Sequence, residues 1–277
     1  MRLGAPLQQS FDRPADWIAA LEAAGYAAAM SPIGPEADTA TRQSFADAAA
    51  DADVVIAEVH AFGHNPIGGT KTDRDEAIAA CAARLQLAED LGAVCCVNVA
   101  GSMGETWAGP HPANIGEAAK ERIIYSVREI IDRVDPDHAV YTLEAMPWTL
   151  PDSVESYRRL LDAIDREQAG VHFDPVNLVN CPRRYYQNDV LIEDFVGEFG
   201  TEIVSVHLKD VRLTDDLTVS LLEVPPGDGG LDYHTLLAAL ESIEDVPVLL
   251  EHLPTQAAYE EAATYVREIG VDVGISM

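Results

Sequence analysis

Eight short apolar runs recur along the chain, each followed by a stretch of helical period, and this alternation narrows the fold more than any other feature. The runs are Arg2–Gly4, Ala27–Met30, Val54–His60, Val94–Val99, Val140–Ala145, Gly170–Asp174, Ile203–Leu208 and Val246–His252. The amphipathic stretches are Pro14–Ala24, Thr39–Ala50, Asp73–Leu91, Ala113–Val134, Val154–Asp165, Val190–Phe199, Tyr233–Ile243 and Thr255–Ile269. Strands separated in this way by helices run parallel, because each helix returns the chain to the edge where the previous strand began. Eight such units close a barrel, and no composition shift or Pro/Gly/Ser linker divides residues 1–277, so a single-domain (β/α)8 barrel is expected. One departure is the stretch 211–232, where DDLTVSLLEVPPGDGG predicts a β-hairpin and a Gly-rich turn over the barrel mouth. A doubly wound open sheet is the alternative fold, but the strand-to-helix turns lack the Gly-rich patterns that cradle phosphates.

In an α/β barrel the active site is built at the C-terminal ends of the strands. Four of the later strands end in a metal-capable side chain: Glu144 in VYTLEAMPW, Asp174 in GVHFDPVN, His207 in VSVHLKD and Glu251 in VLLEHL. Each follows an apolar run that carries it toward a low-dielectric interior, where an unpaired charge costs several kcal/mol. Any one of them alone reads as a helix cap or a core histidine. Together, at successive spacings of 30, 33 and 44 residues, they match βα units plus the inserted hairpin, and a divalent cation at their convergence supplies the missing partner. Three carboxylates and one imidazole form an oxygen-rich set suited to Mn²⁺ first, with Mg²⁺, Co²⁺ or Zn²⁺ as alternatives.

Charge bears on the partner. The chain carries 47 Asp plus Glu against 18 Lys plus Arg, a formal net charge of −29, and its only lysines are Lys71, Lys120 and Lys209. Such a surface repels nucleic acid and anionic membranes at ordinary salt. With 48% hydrophobic residues the chain is globular rather than disordered, so the acid sits on a folded surface. That pattern suits a salt-accumulating halophile, where screening at molar salt relieves self-repulsion, or else an acidic cytosolic protein from a GC-rich genome. MRLGAPLQQSFDRP has no signal-like apolar core and no run approaches a membrane span, so a soluble cytoplasmic protein is expected. Cys81, Cys95, Cys96 and Cys181 form no C-x-x-C pair and read as reduced core thiols.

Further motifs carry a resemblance: L-E-x-x-P at Glu144, F-D-P-x-N at Phe173–Asn177, H-x-K-D at His207–Asp210, P-G-D-G-x-x-D-Y at Pro226–Tyr233, and L-E-H at Leu250–His252. Along essentially its whole length the chain resembles the xylose isomerase-like sugar isomerase/epimerase superfamily, which includes ketose 3-epimerases, inosose isomerases and dehydratases, hydroxypyruvate isomerase and endonuclease IV. The resemblance implies that Glu144, Asp174, His207 and Glu251 hold one catalytic divalent metal, and that Glu144 and Glu251 are also the acid/base pair acting on the two faces of an enediolate. Departures narrow the choice. Endonuclease IV needs three zincs, with a histidine where this chain has Asn177 and a D-x-H that is missing after His207. Ketose 3-epimerases commonly share that histidine, so Asn177 also separates this chain from them.

Residues expected to bind substrate are His60, Asn98, Trp148, His172, Asn177 and Lys209. His60 and His64 follow the third strand and Asn98 ends the fourth, with hydrogen bonds to loop backbone as the alternative for all three. His172 shares parity with Asp174 and points inward, either to hydrogen-bond behind the ligands or to pack in the core. Lys209 either neutralises an enediolate or pairs with Asp210 or Glu223, and Trp148 stacks on a sugar or closes the mouth. Arg183, Arg184, Tyr185 and Tyr186 form a basic-aromatic cluster read as substrate or subunit contacts. The expected activity is metal-dependent isomerisation or epimerisation of a ketose, inosose or related keto-sugar, with no nucleic acid or membrane partner; family members are often homo-oligomers. One alternative is a lyase that removes the same proton from a 3-keto-glycoside and expels a β-substituent, since Phe173–Leu178 with Arg184–Tyr186 resembles subunits of 3-keto-glycoside deglycosidases. The other is a non-catalytic sugar-binding subunit.

Overall fold

A computed structural model describes residues 1–277. Eight parallel strands close into a barrel: β1 (Arg2–Gly4), β2 (Ala28–Met30), β3 (Val55–His60), β4 (Cys95–Val99), β5 (Val140–Glu144), β6 (Ala169–Phe173), β7 (Ile203–Leu208) and β10 (Pro247–Leu250). Each strand pairs with its sequence neighbour in the ring, and the ring shuts where β1 lies beside β10, with Arg2 opposite Pro247 and Gly4 opposite Leu249. At Gly4 the neighbouring strand comes so close that a Cβ would sit 2.2 Å from the Ala28 carbonyl oxygen. Only glycine lets β1 approach β2 there.

Outside the ring run α1 (Pro14–Ala24), α2 (Thr39–Asp51), α3 (Lys71–Leu91), α4 (Glu117–Val134), α5 (Val154–Ile164), α6 (Pro175–Leu178), α7 (Pro182–Tyr186), α8 (Asn188–Phe199), α9 (Tyr233–Leu240) and α10 (Gln256–Asp272). Their ends follow local chemistry. Asp38, Thr70, Ser153 and Thr255 accept backbone N–H groups of the first turns of α2, α3, α5 and α10. Apolar faces of the helices pack on the outer wall of the barrel in one cluster of 61 buried residues, where Phe173 stacks on Phe195 with ring centroids 4.1 Å apart. No helix is long and apolar enough to cross a membrane.

Strand and helix positions agree with the sequence reading to within a few residues, and the differences have local causes. The helix expected over 113–134 is split, because Gly116 is extended between a 3₁₀ turn (Pro112–Ile115) and α4. Two short helices, α6 and α7, precede α8, each opened by a proline whose missing N–H and fixed φ suit a first turn. Helix α8 starts at Asn188 rather than Val190, and the Asn188 amide donates to the carbonyls of Tyr185 and Gly230. Cys81, Cys95 and Cys96 are buried free thiols as expected; Cys181, ahead of α7, is only half-buried and so is not a core thiol.

The predicted hairpin is β8 (Asp210–Leu213) against β9 (Leu221–Val224), antiparallel. Its base is pinned by one carboxylate: buried Asp210 accepts the backbone N–H groups of Val211, Gly227, Gly229 and Leu231. The P-G-D-G turn is therefore wrapped around Asp210, and at Gly229 a Cβ would lie 2.2 Å from that carboxylate. His252 Nδ1, 3.0 Å from Glu223 Oε1, ties β9 to the residue after Glu251, which places the hairpin at the barrel mouth.

Candidate functional site

Parallel register carries side chains from different strands into the barrel at matched heights. Glu144 pairs with Val99 on one side and His172 on the other, and Glu58 of β3 pairs with Cys95. Glu144, Asp174, His207 and Glu251 converge, and their donor atoms all lie within 4.8 Å of one another. Glu144 ends β5 and His207 lies in β7, whereas Asp174 and Glu251 sit one residue beyond β6 and β10. Asp174 is at once an N-cap and a candidate ligand. Its Oδ1 accepts the N–H groups of Val176 and Asn177 at the start of α6, which leaves Oδ2 directed into the cluster.

Lys209 follows β7 and sends its ammonium into the middle of the carboxylates. Nζ lies 2.7 Å from Asp174 Oδ2, 2.8 Å from Glu251 Oε2 and 3.3 Å from Glu144 Oε1. Asp210 and Glu223, the partners considered from sequence, are engaged by the hairpin backbone and by His252 instead. Asn177 donates from Nδ2 to Glu144 Oε1 at 2.7 Å. Asp174 Oδ2, His207 Nδ1 and Glu251 Oε2 are buried without an aligned hydrogen bond, although their ionic contacts with Lys209 or with each other are short. Charged atoms held close but not saturated by directional donors fit a small spherical cation, so the residues present suit a divalent ion.

The side chain that sequence reading missed is Glu58. Fully buried in the middle of β3, it reaches across the barrel to β6 and β7. Its Oε2 lies 2.8 Å from His60 Nε2 and 3.1 Å from His207 Nε2, while Oε1 lies 3.2 Å from His172 Nε2 and accepts the Ser205 hydroxyl. Its signal was present in sequence: Glu58 and His60 are two apart on one strand and share a face.

Burial opposes every charge in this cluster, and the charges answer one another. Against burial, His207 and the hydrogen bonds from His172, His207 and His60 hold the Glu58 carboxyl well below its usual range. Lys209 and His207 do the same for Glu144, and His207 with Lys209 brings Glu251 down to about 2. Burial prevails at Asp174, helped by the Glu144 charge, and pushes it up to about 7 despite Lys209. His207 and Lys209 are held protonated well above their ordinary values by the surrounding carboxylates, against burial. Two side-chain cations thus face four carboxyl groups.

Other sequence-predicted site residues divide. His60, at the end of β3, is 27% exposed and lines a cavity of ≈ 560 Å³ at the ends of β1 to β3, together with Phe11, Met30, Ser31 and Arg84. Trp148 is at the mouth, 39% exposed, with its indole N–H on the Ala108 carbonyl. Asn98 is not brought to the site. It belongs to the face of β4 opposite Cys95 and Val97, and its amide contacts Cys81 Sγ on α3 and the His64 carbonyl. His172 points inward but is closed off from substrate: it is fully buried, with Nε2 on Glu58 and its ring edge-on to His207 at 4.1 Å. His64 lines a second surface cavity beside His111 and Trp107. In the Arg183–Tyr186 cluster, Arg184 donates to the carbonyls of Asp152 and Leu178 and so builds its own loop, while Tyr186 is 73% exposed.

Over residues 18–269 the sequence matches the family model described as xylose isomerase-like TIM barrel. No protein of curated function matches it. Among solved structures, D-psicose 3-epimerase from Clostridium cellulolyticum, solved with D-tagatose, is similar at 13% identity, with 100% of each chain covered and a TM-score of 0.72. A xylose isomerase-like TIM-barrel protein from Mycobacterium smegmatis, in complex with magnesium, is similar at 16% identity, covering 98% of this chain and 97% of that one with a TM-score of 0.70. Endonuclease IV from Thermus thermophilus is similar at 14% identity over 98% of this chain and 100% of its own, with a TM-score of 0.74. At such identities the likeness is one of fold, and it spans sugar and DNA enzymes alike.

Proposed function

The chain belongs to the xylose isomerase-like TIM barrel family, and on that premise we propose that it is a divalent-metal-dependent isomerase or epimerase of a ketose or related keto-sugar. The observation that carries the reading is a difference in exposure within the ligand set. Asp174 and His207 show no side-chain surface, whereas Glu144 and Glu251 are 5% and 8% exposed. Two ligands are sealed in to hold an ion, and two carboxylates open toward the mouth where a substrate can touch them.

The ion, Mn²⁺ by preference and Mg²⁺ next, supplies Lewis-acid polarisation of a carbonyl and thereby acidifies the adjacent C–H. Glu144 and Glu251 come from β5 and from the end of β10, on different sides of the ring. One takes the proton from carbon and the other returns it on the opposite face of the enediolate. Asn177 fixes Glu144 Oε1 by its hydrogen bond, which orients the carboxylate. Lys209 keeps a positive charge beside Glu144 and Glu251 as negative charge develops on the substrate. The sugar epimerase and magnesium-bound relatives support this assignment. The acidic balance of the chain disfavours the DNA chemistry of its endonuclease relative.

Elimination from a 3-keto-glycoside is the second reading. It shares the first proton transfer, and the cavity beside His60 offers space for a leaving group. Incubating Mn²⁺-loaded protein with ketoses and 3-keto-glycosides in D₂O at high KCl decides among the functions. Deuterium in recovered sugar without loss of a substituent is the expected result; released aglycone would move the assignment to a lyase. No exchange with any sugar, combined with no metal uptake, would leave a sugar-binding barrel. Glu251→Gln should fold but lose exchange, and full exchange in that variant would remove Glu251 from the acid/base pair.

A further inference from the structure

An ionised carboxylate only accepts hydrogen bonds. Glu58 is surrounded by three imidazoles that all present the same atom to it: Nε2 of His60 at 2.8 Å, of His207 at 3.1 Å and of His172 at 3.2 Å. Each ring must carry its proton on Nε2 to make that contact. The opposite nitrogen of each ring then faces elsewhere. His207 Nδ1 looks toward the ligand carboxylates, 3.1 Å from Glu251 Oε2 and 3.6 Å from Glu144 Oε1. His60 Nδ1 makes no hydrogen bond, and its partly exposed ring lines the ≈ 560 Å³ cavity.

We propose that Glu58 is a positioning residue that sets the tautomers of the site, directing the His207 Nδ1 lone pair to the metal and leaving His60 Nδ1 as an acceptor for a substrate hydroxyl. It acts through the two histidines. Ser205 holds the carboxylate from β7 through its hydroxyl, so the group is fixed from three strands: from β6 by His172, from β7 by His207 and Ser205, and from the end of its own strand, β3, by His60. A glutamine in its place keeps the shape but offers one acceptor oxygen, and its NH₂ opposes any ring N–H it meets. Loss of such an outer partner typically weakens metal binding about 10- to 100-fold. The His207 half of the proposal rests on the metal-binding reading above; the His60 half does not.

The experiment measures imidazole ¹⁵N shifts by two-bond ¹H–¹⁵N correlation in the whole protein, without ion and with Mg²⁺, and Mg²⁺ affinity by titration calorimetry for wild type and Glu58→Gln. Wild type should show Nε2–H at His60 and His172 throughout and at His207 in the Mg²⁺-loaded protein. Glu58→Gln should bind Mg²⁺ about 10- to 100-fold more weakly. A Nδ1–H tautomer at His60, or at loaded His207, overturns the proposal, and this holds even if Glu58→Gln does not fold. A folded Glu58→Gln protein whose Mg²⁺ affinity and ring shifts equal wild type also overturns it. If wild type takes up neither Mg²⁺ nor Mn²⁺, the metal reading fails, and the His60 and His172 tautomers still decide the role of Glu58.

Discussion

Replacing Lys209 by methionine tests whether the ammonium is the resident counter-charge of the cluster. Methionine retains most of the aliphatic stem and removes the charge that lies 2.7 to 3.3 Å from Asp174, Glu251 and Glu144. Those carboxylates are nearly or fully buried and have no other lysine or arginine partner. Breaking a buried charge contact by deleting one partner typically costs about 3 to 5 kcal/mol, because the remaining charges stay desolvated. For a chain of this size each kcal/mol moves the melting temperature by roughly 2 to 4 °C, so Lys209→Met should melt about 6 to 20 °C lower in chelator. A divalent ion restores positive charge to the same oxygens, and at a hundredfold excess over its Kd it contributes about 2.7 kcal/mol to either protein. Without a competing ammonium the variant should bind the ion more tightly, so its rise in melting temperature with Mn²⁺ should exceed that of wild type. Calorimetry in EDTA and in Mn²⁺, at fixed high KCl, measures both quantities. A variant within about 2 °C of wild type in chelator, or an equal Mn²⁺ response in the two proteins, would refute the reasoning.

Three further outcomes are expected. Glu89 accepts the backbone N–H groups of Asp137, His138 and Ala139, and these bonds, against some burial, lower its pKa in the folded state. That stabilisation is complete above the unfolded value of about 4.5 and is lost as pH falls through the lower folded value, so Glu89→Gln should flatten the acid limb of a stability-versus-pH curve; an unchanged limb would count against it. Asp210→Asn leaves fewer acceptor positions for four N–H donors and should cost roughly 1 to 3 kcal/mol, with faster proteolysis within 211–232; equal cleavage rates would show that the hairpin is held otherwise. With a net charge of −29, stability should rise with KCl toward molar concentrations, and an optimum at low salt would argue against salt adaptation.

Much of this molecule was legible in sequence because the relevant patterns are one-dimensional. Apolar runs between helical stretches fix the barrel, and a metal-capable residue at the end of a run shows itself at Glu144, Asp174, His207 and Glu251. What escaped depends on register and depth. Asn98 lies near a strand end like the others, but β4 pairs Cys95 with Glu58 and Val97 with His60, which turns Asn98 to the outer face. Parity placed His172 inside correctly and could not say that it is sealed against Glu58 and His207. Glu58 escaped because it interrupts an apolar strand rather than ending one, and its meaning is set by three histidines from positions 60, 172 and 207. For Lys209 two roles were open, neutralising an enediolate or pairing with Asp210 or Glu223, and only the closed ring shows that Asp210 is already occupied by backbone.

The pairing of β1 with β10 has a kinetic consequence. Arg2 and Pro247 stand at nearly opposite ends of the chain, so closure is among the longest-range contacts the molecule can make. Such contacts form late, after the entropy of a long loop has been met. The four candidate ligands come from β5, β6, β7 and β10, which are contiguous in the ring, so they can gather before β1 shuts it. An ion held by all four residues would tie β10 to β5, β6 and β7 and so slow their separation. Until β1 and β10 meet they present unpaired edges, and the interval before closure is when a newly made chain is most exposed to association with its own kind.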